Sequence, residues 1–548
     1  TWLINQSFVR REKSRGYFYH EKVRELMVRH LKNTSPSSLR ITHSKLASYY
    51  SFCQADLNLF DKDCYESQNW KNWEVERVFH ALSFDLERNL PESVEAYFLA
   101  FRWRWRFAES IAKSVFSAGH EQLNGKVERT GEALMQVWKE YQSDEVENGV
   151  KLLQELDAYN LSLVAKCECC SMLGHFYRLS GSWEQSINHL SQAIELDEKN
   201  AKAFARRGKT YGQMGKYEEA LTDFSKAIEL DEKYKGAIAN RGLTYRQMGK
   251  YEEALADFSK AIELNEKYTW AIANRGETYR QMGKYEEALV DFSKAIELNE
   301  KYTWAIAKRG ETYQAMDKLE EALVDFSKAI ELNEKYTWAI ANRGLTYRQM
   351  GKYEEALADF SKAIELNEKY TWAIVNRGRT FRQMGKYEEA LVDFSKTIDL
   401  DEKSDEAFVG RGETYRRMGK YKEALADFSK AIELDEKYTW AIARRGQTYL
   451  QTGKFDLALQ DLNKAIEFEP EDADWLALRA VTHLRLGEQA MADQDLEKAM
   501  SLPEDEGMYY GKALAHVLRK EYPAALSILE KAIKKEPFLK LYLQADDL

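Results

Sequence analysis

The reactive side chains of this 548-residue chain are few and scattered. Three of its five cysteines, Cys167, Cys169 and Cys170, form a C-x-C-C cluster that could hold a soft metal ion. Zinc sites usually pair two spaced groups of ligands, however, and no second Cys/His pair lies nearby in the sequence. Cys170 also falls at a core position of the pattern described below. We therefore predict a structural cluster, with no metal and no cofactor.

Catalytic motifs are missing as well. The nine histidines are scattered, and neither H-E-x-x-H, G-x-S-x-G nor the phosphate-binding G-x-x-x-x-G-K-[ST] occurs. Paired acids such as Glu286 and Glu287 recur through the chain, but they suit the start of a solvated helix, where carboxylates meet the positive end of the helix dipole. The sequence therefore predicts a chain with no catalytic residues that is not an enzyme.

A periodic ladder of Trp, Asn and Arg is the set whose spacing suits binding. From 201 to 472 a 34-residue unit is written eight times, and the copy at 269–302 reads TWAIANRGETYRQMGKYEEALVDFSKAIELNEKY. Tryptophan recurs at position 2 of the unit, asparagine at 6 and arginine at 12, while position 9 varies and is glutamate at Glu277. The ladder residues are Trp270, Trp304, Trp338, Trp372, Trp440, Asn240, Asn274, Asn342, Asn376, Arg246, Arg280, Arg348, Arg382 and Arg416. Trp and Arg dominate binding hot spots, and an Asn amide can hydrogen-bond an extended backbone. The ladder therefore predicts a surface that binds a protein or peptide.

The same unit indicates the two helices that carry the ladder. Positions 4, 8 and 11 share one side of a first helix, helix A, and positions 2, 6, 9 and 12 lie about 135° away. Glycine at position 15 permits the left-handed backbone that ends helix A, and positions 17, 20, 21, 24, 27 and 28 form the apolar stripe of a second helix, helix B. In the copy at 269 the framework residues are Ile272, Gly276, Tyr279, Gly283, Tyr285, Ala288, Phe292, Ala295 and Leu298. One unit alone cannot bury that surface, so stacking must stabilise the fold.

This framework resembles the tetratricopeptide repeat. The resemblance implies an all-α fold, a right-handed superhelix (α-solenoid) of antiparallel helix pairs whose inner groove is lined by the ladder. Degenerate copies at 167–200 and after Ala473 and Glu506 extend the array to about eleven units over 167–548. The family's proline at position 32 is glutamate in the perfect copies, as at Glu300, which loosens the joint between units without breaking the fold.

Two features of the ladder stay open. Each tryptophan could face a ligand, or it could pack on the preceding helix B, since Trp270 follows Tyr268 closely. In the copy at 269, basic residues outnumber acidic ones in helix A and its turn, and acidic residues outnumber basic ones in helix B. This distribution predicts a positive groove and an acidic or carboxylate-bearing partner. Arg275 could instead pair with Asp291 of helix B.

The copy at 303 departs most from the pattern, with Lys308, Gln314, Ala315, Asp317 and Leu319, and predicts a change of specificity or a softer joint.

The part before the array predicts other modules. Two extended stretches flank a turn in Ser7–His20, and two helices follow around a Ser/Pro break, an order that fits a partial winged-helix-like module over 1–68. A helical linker and, from 133, an irregular helical pair follow over 69–166. Arginines alternate with aromatics in FRWRWRF, but the net charge of −10 disfavours nucleic acid. A buried helical face is expected at Val94, Tyr97, Phe101, Trp105 and Ala108.

Three stretches before residue 86 resemble a known family. FVRREKSRGYFYHEKVRELMVRHL, ITHSKLASYY and EVERVFHALSFD are similar to the segment after the nucleotide-binding core of STAND proteins, signal-transduction ATPases with numerous domains. The match puts His20 and Arg24 at the family's recurrent His and Arg, although both also suit ordinary surface positions. It implies the sensor arm of a prokaryotic signalling or defence protein, with an upstream nucleotide-binding domain in cis. The alternative is a stand-alone scaffold or co-chaperone-like adaptor.

The composition of the chain predicts the cellular compartment of the protein. Five unevenly spaced cysteines do not form a disulfide framework, and no apolar run approaches the roughly 20 residues that a membrane span needs. We therefore expect a cytoplasmic protein without a membrane partner. The chain opens on Thr1 without a methionine, which predicts a fragment of something longer.

Overall fold

The computed structural model describes residues 9–12, 16–19, 35–57, 59, 62–143, 146–502 and 509–535. The chain divides into two compact units, Thr1–Thr278 and Tyr279–Leu548, and the division falls inside the helix Thr269–Gln281. Each unit is described by itself below.

The first unit begins with the predicted hairpin. Strand Val9–Glu12 pairs antiparallel with strand Gly16–Tyr19, with Val9 opposite Tyr19. The helix predicted next, including His20 and Arg24, lies outside the described residues, so the winged-helix-like module stays a prediction. The helices that lead to the array are Pro36–Asp56, Lys62–Glu66, Gln68–Phe84, Leu86–Glu121, Gly125–Ser143 and Gly149–Asp157.

The 36-residue helix Leu86–Glu121 organises this lead-in. Asp85 caps its start by accepting a hydrogen bond from the backbone N of Arg88. Val94, Tyr97, Phe101 and Ala108 are buried on one face, as predicted, and the side chain of Trp105 lies outside the described part of the structure. The helix then crosses Gly125–Ser143 so closely that a Cβ built on Gly131 would lie 2.4 Å from the backbone N of Phe116. A side chain larger than hydrogen at this crossing would force the two helices apart.

Two helices occupy the region of the irregular helical pair predicted over 133–166, but the first of them begins before residue 133. Residues 133–143 belong to the 19-residue helix Gly125–Ser143, and only Gly149–Asp157 lies wholly within the predicted range. The first A helix starts at Leu163, earlier than residue 167, because Ser162 accepts a hydrogen bond from the backbone N of Ala165 and so caps the helix there.

Helix pairs of nearly constant length make up the rest of both units. In the first unit they are Leu163–Leu179 with Trp183–Leu196, Ala201–Gln213 with Tyr217–Leu230, and Lys235–Gln247 with Tyr251–Leu264. In the second unit Tyr285–Leu298 is followed by Thr303–Ala315 with Leu319–Leu332, Thr337–Gln349 with Tyr353–Leu366, Thr371–Gln383 with Tyr387–Leu400, Asp405–Arg417 with Tyr421–Leu434, Thr439–Gln451 with Phe455–Phe468, Ala473–Leu486 with Gln489–Ser501, and Tyr509–Leu518 with Tyr522–Lys535. The predicted all-α helix-pair array is confirmed.

Small residues set the distance between the two helices of a pair. A Cβ on Gly310, at position 8, would lie 3.2 Å from the Phe326 ring, and that ring is fully buried. Position 15 takes the left-handed backbone that was predicted, with φ of +73° at Gly351. In the copy at 303, Asp317 occupies that position with φ of +57°. The chain therefore keeps the same turn there, at a strained residue.

Candidate protein-binding face

The side chains at positions 2, 5, 6, 9, 12 and 13 of the A helices are called the ladder face here, and the arginine at position 7 lies behind it. Arg343 donates Nε and Nη2 to the two carboxylate oxygens of Asp359 at 2.8 Å, and Nη1 to Ser327 Oγ of the preceding B helix at 3.2 Å. The same bidentate pairing joins Arg207 to Asp223, Arg241 to Asp257, Arg309 to Asp325, Arg377 to Asp393, Arg411 to Asp427, Arg445 to Asp461 and Arg479 to Asp495.

This pairing corrects the expected charge distribution. The aspartate at position 23 was counted among the acidic residues of helix B, with a pairing to the arginine at position 7 as the alternative, and Asp291 is 4% exposed and Asp359 8% exposed. In each paired copy the buried carboxylate neutralises the arginine at position 7, so both charges leave the surface. A side chain at position 23 lies where helix B faces helix A, and the aspartate can stay buried there only because a guanidinium group meets it.

The tryptophans at position 2 pack on the preceding B helix and keep part of the ring exposed. The Trp304 ring meets Phe292 edge-on with centroids 6.3 Å apart, and Tyr302 with centroids 6.0 Å apart. Trp372 is 36% exposed. The same edge-on contact joins Trp270 to Phe258, Trp338 to Phe326 and Trp372 to Phe360. These contacts agree with the interpretation in which each tryptophan packs on the preceding helix B. A contact between a ligand and the exposed part of the ring stays a prediction.

The asparagines at position 6 are engaged with their own helix. Asn342 donates Nδ2 to the backbone O of Trp338 at 2.8 Å. Asn240, Asn274 and Asn376 donate in the same way to the residue four positions earlier, at 2.7, 2.8 and 2.9 Å. Asn274, Asn342 and Asn376 are buried. Their first role is therefore to hold the ladder face in shape, and contact with a ligand backbone stays a prediction.

The arginines at position 12 reach toward the next A helix. In the first unit Arg246 donates Nη1 to the backbone O of Asn274 at 3.3 Å. In the second unit Arg382 donates Nη1 to the backbone O of Gly410 at 3.4 Å, and Arg280 lies 3.6 Å from Glu311. Arg348 donates to Gln383 Oε1 and Asn376 Oδ1 at 3.4 and 3.5 Å. These four guanidinium groups are half-buried on the ladder face, each between two successive A helices.

Besides the three buried asparagines, two more of the predicted ladder residues are buried. Glu277 is 5% exposed and Arg416 is 5% exposed. Arg416 donates Nε and Nη2 to the carboxylate of Glu413 at 2.9 and 2.8 Å.

Among the residues that replace asparagine at position 6, Arg206 and Arg444 were missed, and Lys308 was noted only as a departure of the copy at 303. Lys308 Nζ lies 4.3 Å from the centre of the Trp338 ring, and Arg444 lies 4.8 Å from that of Trp440. In the first unit Arg206 donates to the hydroxyl of Tyr141 at 2.8 Å. The signal was available, since a base replaces asparagine at each of these positions.

The C-x-C-C cluster is packed inside the first repeat. Cys167 Sγ donates to the backbone O of Ala193 and accepts from Asn200 Nδ2, both at 3.2 Å. Burial raises the pKa of Cys170 to about 11, which disfavours the thiolate that a metal binds. Within the described ranges, His, Cys, Asp and Glu do not gather in groups of three that could hold a metal ion. Every helix in the described part of the chain is too short or too polar to cross a bilayer.

The comparison with known proteins adds the family. Family models described as tetratricopeptide repeat match residues 201–234, 237–268, 270–302, 305–336, 338–370 and 415–481. A further model, described as TPR repeat, matches residues 174–215 and 378–419. Together these matches cover more than half of the chain. No curated protein matches.

Solved structures that are similar include three repeat proteins. A tetratricopeptide repeat protein from Parabacteroides merdae is 22% identical, over 47% of this chain and 98% of that one, with a TM-score of 0.39. YrrB, described as a TPR protein with an unusual peptide-binding site, is 27% identical over 34% of this chain and 95% of its own, with a TM-score of 0.28. The Cut9–Hcn1 hetero-tetramer of APC/C is 15% identical over 77% and 96%, with a TM-score of 0.40.

Proposed function

Since this chain belongs to the tetratricopeptide-repeat family, a family of protein-interaction modules, we propose that the ladder face of its second unit binds an extended segment of a partner protein. The observation that carries the proposal is the contrast between two arginines of one helix. Arg343 is paired with Asp359 of helix B behind the ladder face, whereas Arg348, five residues later, reaches along the ladder face to Gln383 and Asn376 of the next A helix. The second kind of arginine therefore lies on the side of helix A that carries the ladder, where we propose that a partner binds.

The half-buried tryptophans support the same role. A ring such as Trp304 is already ordered by Phe292, so a partner that covers its exposed part loses little side-chain entropy on binding. Rigid aromatic rings beside arginines are the composition of binding hot spots. We propose a non-catalytic role on this basis.

To test whether the ladder face binds peptides, peptides that bind the full chain are first selected from a random display library. Fluorescence anisotropy then compares the wild type with Arg280→Gln/Arg348→Gln and with the control Lys294→Gln/Lys328→Gln. The control removes the same charge from exposed lysines that pair with Glu297 and Glu331 on B helices. We expect the arginine variant to lose at least tenfold in affinity and the control to lose less than twofold. Equal losses in the two variants would contradict binding at the ladder face.

A finer proposal is that the array is the cytoplasmic sensor arm of a STAND-type protein, with an upstream nucleotide-binding domain in cis. The hairpin Val9–Tyr19, followed by the helix Pro36–Asp56, supports it, because both elements occur in the order that the resemblance implies. The five cysteines are free thiols, which suits a reducing compartment. The gene sequence upstream of Thr1 tests the proposal: a phosphate-binding loop is expected there, and its absence would leave the stand-alone scaffold or co-chaperone-like adaptor.

A further inference from the structure

Position 22 of the B helices in the second unit lies on the side of the helix that faces solvent. Three of these helices carry an exposed valine there: Val290 is 69% exposed, Val324 68% and Val392 67%. Helix Tyr285–Leu298 and helix Tyr353–Leu366 have the same sequence at every other position, and the second carries Ala358 in place of Val290. Two helices of one fold therefore differ by a single exposed side chain.

The fold does not need this valine. Helix Tyr353–Leu366 forms over the same 14 positions with Ala358 as helix Tyr285–Leu298 does with Val290. A β-branched side chain loses rotamer freedom in a helix, which alanine does not, and Val290 stays mostly in water and so gains little from burial. One exposed apolar residue is ordinary, but the same residue recurs at Val324 in the next repeat. A recurring residue that costs helix stability without a packing gain is typical of a contact surface.

A shallow groove of about 480 Å³ lies along the same helix. It is lined by Leu289, Val290, Ser293, Lys294 and Glu297. Ser293 Oγ accepts a hydrogen bond from Arg309 Nη1 at 3.1 Å, so the groove lies on the side of the helix that faces the repeat at 303. Val324 occupies position 22 on the B helix of that repeat. The valine surface is defined here as this groove together with Val290 and Val324.

Unpaired glutamates border the valine surface. Glu286 and Glu287 stand four and three residues before Val290, a spacing that places them on its side of the helix, and both are exposed. Lys294 pairs with Glu297 at 3.0 Å, and within the described part of the chain neither Glu286 nor Glu287 has an ion-pair partner. The B helix of the next repeat has the same arrangement, with Glu320, Glu321, Val324, Lys328 and Glu331. Each of the two helices therefore presents two uncompensated carboxylates beside its valine.

We propose that the valine surface binds a basic amphipathic helix of a partner protein. The apolar face of such a helix covers Val290 and Val324, and its lysines or arginines meet the glutamates at positions 18 and 19. The carboxylates decide between occupants, because a second copy of this chain, an anionic lipid surface and a nucleic acid would all bring like charge to them. The surface belongs to helix B, whereas the ladder face belongs to helix A, so the inference goes beyond the proposed function.

The probe is an acetylated, amidated and fluorescein-labelled peptide of leucine and lysine, about 18 residues long, with leucine at every third or fourth position so that one face of its helix is apolar. Fluorescence anisotropy compares its binding to the full chain with that of a peptide of the same composition whose order removes the apolar face. The amphipathic peptide is expected to bind at least tenfold more tightly. Val290→Ser/Val324→Ser and Glu287→Gln/Glu321→Gln are each expected to lose at least fivefold, the second with a weaker dependence on salt. Equal affinities for the two peptides would overturn the proposal.

Matched controls come from the same part of the chain. Ala358→Ser changes position 22 in the helix that lacks the valine, and Glu300→Gln/Glu334→Gln removes two exposed glutamates outside the B helices. Both are expected to change the affinity less than twofold, whereas a general attraction to an acidic protein would weaken to the same extent in the two glutamate variants. Equal losses in those variants, or an affinity that Val290→Ser/Val324→Ser leaves unchanged, would overturn the proposal.

Stability and assembly separate recognition from other roles. Because both valines are mostly exposed, Val290→Ser/Val324→Ser should leave the thermal midpoint nearly unchanged, and a marked fall would show that the valines serve the fold. A dimer in sedimentation velocity that this variant dissolves would assign the surface to a second copy and overturn the basic partner. Arg280→Gln/Arg348→Gln should not weaken binding of the basic peptide; a loss there would place the peptide on the ladder face. If library-selected peptides depend on these arginines while the basic peptide does not bind, the ladder proposal stands and the valine-surface proposal fails.

Discussion

Arg343 and Asp359 share two hydrogen bonds of 2.8 Å across the two helices of one repeat, and Arg343 reaches back to the preceding repeat through Ser327. One guanidinium group thus joins three helices. We predict that Asp359→Asn lowers the free energy of unfolding by about 2 kcal/mol, because a partly buried arginine loses its ionic partner. Lys362→Gln, which breaks an exposed pair with Glu365, should leave the free energy of unfolding nearly unchanged, because water screens that pair. Urea denaturation measures both changes, and equal costs would contradict the structural role of the buried pair.

The turn between helices A and B gives a second prediction. A Cβ on Gly351 would meet no atom within 4 Å, so Gly351→Ala changes only the backbone preference at a φ of +73°. We expect a loss of about 1 kcal/mol in stability. Asp317→Ala should cost less than half as much, because Asp317 already carries a Cβ at φ of +57°. Thermal denaturation of the two variants provides the measurement, and a larger loss at Asp317 would show that its carboxylate has another role.

Docking of the last described helix pair should depend on pH. Burial, and then the charge of Asp472, raise the pKa of Asp474 to about 6, and Asp474 Oδ1 accepts the backbone N–H of Gly511 at 2.6 Å. A carboxyl group whose folded pKa is raised contributes stability that is present below its unfolded pKa, about 4, and is lost as pH rises through about 6. As the pH rises between these two values, the backbone amides of helix Tyr509–Leu518 should therefore lose protection from hydrogen exchange in the wild type, relative to the Asp474→Asn variant. A parallel response of wild type and variant would exclude Asp474 as the cause.

Thiol labelling tests the burial of the cysteines. Cys64, Cys167, Cys169 and Cys170 are buried, and Cys53 is partly exposed. Burial raises the pKa of Cys169 and Cys170, so their thiols are protonated as well as covered. At pH 8 a disulfide reagent should label one thiol per native chain rapidly and the others only on unfolding. Cys53→Ser should abolish the rapid phase; its persistence would show that a second cysteine is accessible.

Much of the fold could be predicted from the residues alone, because it depends on local preferences repeated at a fixed period. Glycine at position 15 ends helix A, and alanine and phenylalanine at 20, 24 and 27 form the stripe that stacking buries. The lead-in lacks such a period. There, close contacts such as the crossing at Gly131 depend on the tertiary structure, and the helix that holds residues 133–143 begins at Gly125, earlier than the start predicted at 133.

What the sequence determined by itself was the repeat, its two helices and the side of helix A on which Trp, Asn and Arg recur, since each follows from 3.6 residues per turn. The tertiary structure decided which charges stay at the surface. Arg343 and Arg348 lie on one helix, and the sequence left open whether an arginine at position 7 pairs with helix B; in the structure helix B brings a carboxylate to Arg343, while Arg348 reaches along the ladder face to the next A helix. Glu277 and Glu413 likewise are buried at a ladder position. Whether a charge can be buried depends on a partner from another helix, and only packing brings that partner within hydrogen-bond distance.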